Sequence, residues 1–466
     1  MSDPADSMDT VTTTDQRAPG DVRPAAPSAH SVAGATARPP RLRAFAHARV
    51  SGLPRPFWVL WSGTLINRIG YMVEPFLAYY LTGVRGLSLA TTGAILAVSG
   101  AGSVVSQLVS GSLSDRIGRR EMLTLGMLAN AAALIGLGYS RGLVSILAAT
   151  LLFGLTIDVY RPASSALVAD LVPPAERPRA YGLLFWAVNL GFSVAMVLGG
   201  TLARSGFQWL FWADAGTCAV VGALAWRGLP SGSPGRARAA KARESGPAVP
   251  AARPGRLTGR PTGNRGGALL GFARDRVVIA YLALSLCYCF VYLQAYTTLP
   301  LAMRLQGLSP QEYGLAMALN GLLIIALQPL VSGWLGKHDP STVLAGGFAI
   351  VGLGFGLTAL AGSVVAYAAT VVVWTLGEIV TAGLGAAIVA DLAPVSMRGR
   401  YSGAYGAVWS AAYLLGPLGG TRLLALGAPV LWVTCGLMGA GTALGLLALG
   451  PAIRRRSRAA AVIIQV

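Results

Sequence analysis

The chain reads as an all-α membrane protein with twelve transmembrane helices in two pseudo-symmetric six-helix bundles. Three observations predict this. Only 12% of the 466 residues are charged and 54% are apolar, with 60 glycines and a mean hydropathy of +0.59. A soluble chain carries about 25% charged residues, so this composition has no polar coat for a water-facing surface. Apolar stretches of the ~20 residues a spanning helix needs recur along the chain with short loops between them. Finally, one offset of 221 residues maps half of the chain onto the other half.

Residues 1–54 are rich in Ala, Pro, Ser, Thr and Asp, show no signal-peptide pattern and no helical period, and are expected to form a disordered cytoplasmic tail. Arg41, Arg43 and Arg49 at its end suit anionic lipid. Spans follow near 57–82, 89–111, 121–140, 143–169, 181–203 and 208–229, making an N-terminal bundle over 55–230. The stretch 231–276 holds Lys241 and many arginines broken by Pro and Gly, the composition of a flexible basic linker. Spans near 277–302, 312–335, 342–361, 365–391, 401–424 and 429–451 make a C-terminal bundle over 277–451, and 452–466 reads as a second cytoplasmic tail.

Thirty Lys and Arg residues fall on the side that holds the tails and the linker, against Arg85, Arg141, Arg204, Arg304 and the borderline Arg422 on the other. The positive-inside rule then puts both termini in the cytoplasm of an inner or plasma membrane. The net charge of +19 is thereby accounted for by topology, and no nucleic-acid partner is expected. All but two of the 37 basic residues are arginine, the usage of a GC-rich bacterial genome. Cys218, Cys287, Cys289 and Cys435 all lie in apolar runs and are expected to be small packing residues, neither bridged nor metal-bound.

The internal repeat is dense. Ala166, Val168, Ala169, Asp170, Leu171, Pro173, Arg177, Arg179 and Gly182 match Ala387, Val389, Ala390, Asp391, Leu392, Pro394, Arg398, Arg400 and Gly403. At the same shift Gly86, Leu87, Ser88, Gly93, Ala97 and Gly100 fall on Gly307, Leu308, Ser309, Gly314, Ala318 and Gly321. Six spans separate the copies, so the two units run parallel and place a substrate path at their interface near the midplane.

After span 2 the chain reads Gly111, Leu113, Asp115, Arg116, Gly118, Arg119 and Arg120, in the order Gly-x-Leu-x-Asp-Arg-x-Gly-Arg-Arg. Glycine lets helix ends approach, Asp115 accepts hydrogen bonds, and the arginines can latch across a cytoplasmic gate. This order, with twelve spans and a 6+6 repeat, resembles the hallmark loop of the major facilitator superfamily, over residues 57–451. Within it the chain looks most like the twelve-helix drug/proton antiporter (multidrug efflux) branch, through Asn67, Arg68 and Gly70 with Pro75, Phe76 and Leu77, and through Arg161, Pro162 and Ala163. There are departures. Thr150 stands where the branch has an arginine four residues before Gly154, and the antiporter signature of span 5 keeps Gly191, Gly199 and Gly200 but has Ala195 and Met196 for its Gly-Pro. Its Gly-Pro occurs in span 11, as Gly416 and Pro417 before Gly420. In the second copy of the hallmark loop, Gly333 to Lys337, the aspartate is missing. The resemblance implies outward transport and a central cavity lined by spans 1, 4, 7 and 10.

An ionisable group at the middle of a spanning helix costs about 3 kcal/mol on insertion scales, so each marks a function or a pair. Arg68 and Glu74 in span 1, Asp158 and Arg161 in span 4, and Glu378 in span 10 all lie on helices the resemblance places around the cavity. Asp158 and Arg161 share a helix face, the spacing of an internal ion pair. Glu378 has no charged neighbour within its turn and falls one residue from the repeat equivalent of Asp158. Glu378, Asp158 and Glu74 are therefore the proton-coupling candidates, and at Glu378 a lone carboxyl in low dielectric favours the protonated acid and brings proton uptake toward physiological pH. Asn67, Tyr71, Tyr288, Tyr292, Gln294, Tyr296, Asn320 and Trp374, with Trp61 and Tyr79 near span ends, are the candidate aromatic and polar lining of a substrate pocket. Asp214 and Glu312 fall near the outer ends of their spans, where solvent or a helix end would take their charge.

No phosphate loop of the Gly-x-x-x-x-Gly-Lys-Ser/Thr type occurs, so no nucleotide cofactor is expected and the proton gradient is the energy source. His30, His47 and His338 lie outside the spans, which leaves no histidine cage for a metal. The expected partners are a small-molecule substrate, protons and lipid, with the chain acting as a monomer. The loops are too short for an enzyme site. The leading reading is a drug-like exporter coupled to proton entry, and the alternatives are a metabolite or sugar exporter, a proton symporter, or a receptor on the same fold.

Overall fold

The structure is a computed structural model that describes residues 53–229, 275–335, 337–394 and 397–464. The expected tail up to residue 52 and the expected linker up to residue 274 lie outside these residues, as do the burial of Gly111 and the side chains of Asp115 and Arg161. Residues Gly52–Val466 form one compact unit.

Every described element is a helix. The first half holds α1 (Arg55–Gly70), α2 (Val73–Tyr79) with a π turn (Tyr80–Val84), α3 (Leu89–Ile117), α4 (Arg119–Tyr139), α5 (Leu143–Ile157), α6 (Tyr160–Leu171), α7 (Arg177–Ser205) and α8 (Gln208–Gly228). The second holds α9 (Arg276–Thr297), α10 (Leu299–Leu305), α11 (Pro310–Leu335), α12 (Pro340–Leu357), α13 (Val364–Thr381), α14 (Leu384–Leu392), α15 (Arg398–Leu426) and α16 (Ala428–Ile464). Helix starts at 55, 89, 119, 143 and 177 recur 221 residues later at 276, 310, 340, 364 and 398. The turns repeat as well. Gly86 and Gly307 have φ of 65° and 81°, and Gly206 and Gly427 have φ of 132° and 133°, backbone that a side chain would strain. Helix starts are capped where the sequence offers an acceptor: Ser88 to the Thr91 amide at 3.1 Å, Asp339 to Thr342 at 2.9 Å, and Ser309 and Glu312 in a reciprocal box.

Among the described residues, nine helices are long and apolar enough to cross a membrane. The other three expected spans are helical too. Spans 1 and 4 are each divided, into α1 and α2 and into α5 and α6, while span 11 is the single polar helix α15. Spans 7 and 10 are also interrupted, so breaks occur in all four helices expected around the cavity. Three breaks have a common cause. Proline lacks an N–H and clashes with the carbonyl four residues back. Pro75, Pro162 and Pro300 stand three or four residues beyond Tyr71, Asp158 and the Tyr296–Thr297 end of α9. In span 10 the break is made by Gly383 at φ 78°.

Two boundaries differ from expectation. The hallmark motif is not a loop: residues 111–117 are the last two turns of α3, only Gly118, at φ 105°, turns the chain, and Arg119 and Arg120 begin α4. The last helix continues through Pro451 to Ile464 because Ala and Arg, which dominate 452–461, are strong helix formers.

The halves meet along two helix crossings built from repeat-related glycines. A Cβ on Gly100 of α3 would lie 2.5 Å from the Tyr413 carbonyl oxygen of α15, and one on Gly93 would lie 2.9 Å from that of Pro417. In the second copy Gly321 of α11 faces the Asn189 carbonyl of α7 at 2.7 Å, and Gly314 faces that of Met196. Such approaches need residues without side chains. Both crossings lie in the half of the molecule away from the arginine-rich end, where Arg116, Arg119, Arg177, Arg398 and Arg454 gather at helix starts and ends.

At the arginine-rich end α16 braces two helix starts. Arg456 bonds Asp275 at 2.6 Å, where the Tyr401 hydroxyl and the Val278 amide also donate, and Arg454 bonds Asp339 at 3.2 Å. Burial alone would push the Asp275 carboxyl up, but Arg456, Tyr401 and Val278 outweigh it and hold it below the usual carboxylate range. Asp339 is likewise raised by burial and lowered further by Thr342 and Arg454. With folded values below unfolded ones, this stabilisation is complete above the ordinary aspartate value of ~3.9 and is lost as the pH falls through the folded values. Thermal stability in detergent should therefore drop below about pH 4, and drop less steeply in an Asp275→Asn, Asp339→Asn protein. An unchanged acid slope in that double variant would remove the brace.

Candidate functional site

The breaks and the crossings together enclose a cavity of about 660 Å³ between the halves, within the ~300–1,000 Å³ usual for small-molecule sites. At the end opposite the arginine-rich one it is closed. There the Tyr79 hydroxyl of α2 donates to the Leu308 carbonyl at 3.2 Å, Phe76 sets its ring edge-on to Tyr313 at 5.4 Å, and Arg204 bonds Gln311. Toward the arginine-rich end the lining continues past Leu184 to the exposed Phe185 and Tyr181.

Four carboxylates line it, and Arg68 is the basic residue among the described lining. Glu378 is held by neutral groups from two other helices. Asn320 of α11 donates to one oxygen at 2.6 Å and Tyr292 of α9 to the other at 2.9 Å; Asn320 is itself oriented by Thr375 at 3.0 Å. Among the described residues no basic side chain pairs with it. Asp158 ends α5 at the break in span 4 and accepts from Ser103 and, at 3.3 Å, from Gln107, both on α3. Glu74, just after the break in span 1, accepts from the Tyr71 hydroxyl, and Arg68 lies over the Tyr71 ring 4.9 Å from its centroid. The expected Asp158–Arg161 pair lies outside the described residues.

Asp214 departs from expectation. It is 5% exposed, and its carboxylate accepts from the Val73 amide at the start of α2 at 3.2 Å. Its charge is indeed taken by a helix end, but an internal one that exists only because span 1 is broken. Glu312 caps the start of α11, accepting from the Ser309 amide at 2.7 Å.

Of the expected pocket residues, Asn67, Tyr71, Tyr292, Tyr296 and Asn320 line the cavity. Three others turn into the second bundle. Tyr288 bonds Thr381 and stacks on Phe348, Gln294 bonds the Gly416 carbonyl and Thr298, and Trp374 stacks on Phe355. Gln294 sits about 200° round its helix from Tyr292, whereas Tyr288 and Trp374 lie one turn from Tyr292 and Glu378 on the same face and are taken up by packing inside the second bundle, which span membership alone does not reveal. Trp61 donates to the Leu183 carbonyl between α1 and α7. Sequence reasoning passed over Ser103, Gln107 and Tyr413. Ser103 and Gln107 carry a signal, since polar side chains four apart mark one face of an otherwise apolar helix.

The glycine motifs serve helix contacts. Gly191 packs on Arg68 and the Leu65 carbonyl, Gly199 on Phe76, Gly200 on Pro310 and Gln311, Gly416 on Leu293, and Gly420 on Thr298, while Pro417 reaches the cavity. In the hallmark motif Arg119 pairs with Asp170 at the end of α6, and Arg120 lies beside Glu121 and over Trp226. Arg116 is exposed.

Comparison with known proteins agrees with this architecture. The family model described as Major Facilitator Superfamily matches residues 60–417 and 284–464. A Bacillus subtilis protein, the uncharacterized MFS-type transporter YqjV, is 26% identical over 75% of this chain and 82% of its own length. The Na(+), Li(+), K(+)/H(+) antiporter of Planococcus maritimus is 24% identical over 76% and 85%, and the multidrug resistance protein MdtH of Aeromonas salmonicida 23% over 84% and 94%. In solved structures, a peptide transporter POT in complex with sulfate superposes with a TM-score of 0.69 at 19% identity, covering 87% of this chain and 96% of that one. A model matched across most of its length, over a helical repeat of this form, makes this chain a member of the Major Facilitator Superfamily.

Proposed function

We propose that this membrane transporter exports small drug-like organic compounds by proton antiport. The observation that carries the reading is Glu378, an acid inside the cavity held by the neutral Asn320 and Tyr292. A carboxylate accepts from both groups, whereas a protonated acid must donate from one oxygen, so each protonation state favours its own arrangement of α9, α11 and α13. Proton and substrate then stabilise opposite states of one cavity. By the positive-inside rule the arginine-rich end is cytoplasmic, and a cavity closed at the opposite end faces inward. Tyr71, Tyr292, Tyr296 and Tyr413 supply apolar faces with polar tips, which suits amphipathic cargo. The multidrug relative supports this cargo.

Reconstituted protein in liposomes should expel a lipophilic dye only when a pH gradient is imposed. Proton flux that follows sodium or potassium and ignores the dye would favour alkali-cation exchange instead, a second reading supported by the Planococcus relative and the four cavity acids. The Arg119–Asp170 pair is read as part of a conformational latch. Arg119→Ala should keep substrate affinity and slow turnover by about two- to fivefold, the scale of a partly exposed pair worth under ~1 kcal/mol. Unchanged turnover in a well-folded variant would dismiss the latch.

A further inference from the structure

We propose that Asp214 is a positioning residue that pins the half-helix α2, and that neutralising it releases α2 and opens the far end of the cavity. The inference deepens the proton-coupled reading by giving proton uptake a moving part.

The break in span 1 leaves the first amides of α2 without partners in their own helix. Asp214, on α8, supplies one, accepting from Val73 at 3.2 Å while only 5% exposed. The α8 side of this contact is fixed. Thr217 donates back to the Asp214 carbonyl at 2.8 Å, and Gly70, the last residue of α1, sits so close to Thr217 that a Cβ there would overlap its hydroxyl. The chain is therefore clamped up to residue 70, and beyond it the Asp214 carboxylate ties the start of α2 to α8 while Phe76 and Tyr79 pack against α11. The segment so held is the closing element itself, since α2 carries Phe76 and Tyr79 against Tyr313 and Leu308. A carboxylate–amide bond is roughly twice as strong as a neutral one, so removing the charge weakens the hold on α2 without disturbing the clamp.

The titratable and charged groups around Asp214 are few. On its own helix Cys218 approaches at 3.8 Å and is bonded by Asn130 of α4 at 3.3 Å. From α1 comes Arg68, from the break after it Tyr71, from α2 Glu74, and α7 places Tyr181 farther toward the arginine-rich end. Among the described residues no basic side chain pairs with Asp214, so proton uptake there breaks no ion pair.

The test is hydrogen–deuterium exchange of the intact protein in lipid nanodiscs, followed on peptides covering 73–84 and corrected for intrinsic rates. Wild-type α2 should lose at least about tenfold protection between pH 8 and pH 5, a shift of the size typical for coupled sites. Asp214→Asn should show the low protection at both pH values while α3 and α12 stay as in wild type. Asp214→Ser, which also keeps a short acceptor without charge, should match it. A wild-type pH response surviving in either variant overturns the proposal. A response lost in Glu378→Gln yet kept in Asp214→Asn also overturns it, assigning the switch to Glu378 and leaving the antiport reading standing. An Asp214-dependent response in protein that shows no gradient-driven transport upholds this proposal and fails the antiport reading.

Discussion

Glu378→Gln should lose dye transport driven by a pH gradient, by at least about tenfold, within the range that coupling energies of ~1–3 kcal/mol produce, while still binding substrate. Glutamine keeps the size of the side chain and can accept from Asn320 through its oxygen while its amide donates to the Tyr292 hydroxyl, but it cannot exchange a proton. Binding needs the pocket and coupling needs titration, so the two should separate in one protein. Substrate binding read by fluorescence and flux read in liposomes make the comparison. Asp158→Asn is the contrast. Its partners Ser103 and Gln107 lie on one neighbouring helix, and if it serves mainly to hold α3 against α5, the variant should lower folded yield and leave coupling intact in the protein that survives. Full gradient-driven transport by Glu378→Gln would move the assignment to Asp158 or Glu74.

The second large effect should come from Gly352→Ala. On α12, a Cβ at Gly352 would lie 2.6 Å from the Gly439 Cα of α16, and a Cβ at Gly356 would lie 3.2 Å from the Gly436 Cα. Four glycines thus bring two backbones into contact where no side chain can move aside. An added methyl must push the helices apart, at a cost of roughly 1–3 kcal/mol. Gly346→Ala on α12 and Gly441→Ala on α16 add the same methyl to open space and should leave stability unchanged or slightly raised, since alanine is the better helix former. Thermal inactivation in detergent reads all three. Equal losses at Gly352 and Gly346 would mean that lipid contact governs these positions and close packing does not.

Periodicity and composition made the helices legible, because a bilayer allows few solutions for twenty apolar residues. The repeat was legible for the same reason, and its register carries through to helix starts and turn glycines. The breaks were present in the sequence as Pro75, Pro162 and Pro300, but a proline in a span shows only that one carbonyl loses its donor, not whether neighbouring helices mend the gap. Asp214 illustrates the cost. Without the break at Tyr71 it has nothing to cap, so its depth in span 6 suggested an outer-surface acid. Glu378 could be singled out because it is charged in an apolar run, yet its partners come from α9 and α11, at separations of 86 and 58 residues that no local pattern encodes. Tyr288, Gln294 and Trp374 stood among the pocket candidates because span membership says which helix lines a cavity, and only packing says which of its side chains reach it.

The paired glycine crossings also set a mechanical ratio. On α3 the midpoint of Gly93 and Gly100 lies about 11 Å from the start of the helix and about 31 Å from its end, at 1.5 Å per residue. Its repeat on α11 divides that helix into about 11 and 26 Å. Bundles rolling on these two bearings act as unequal levers. A tilt of about 10° would swing the arginine-rich ends by about 5 Å and the opposite ends by only about 2 Å. Rigid rotation therefore serves well as the door on the long-arm side, while the short-arm side gains little from it and is left to a small, separately hinged part such as α2.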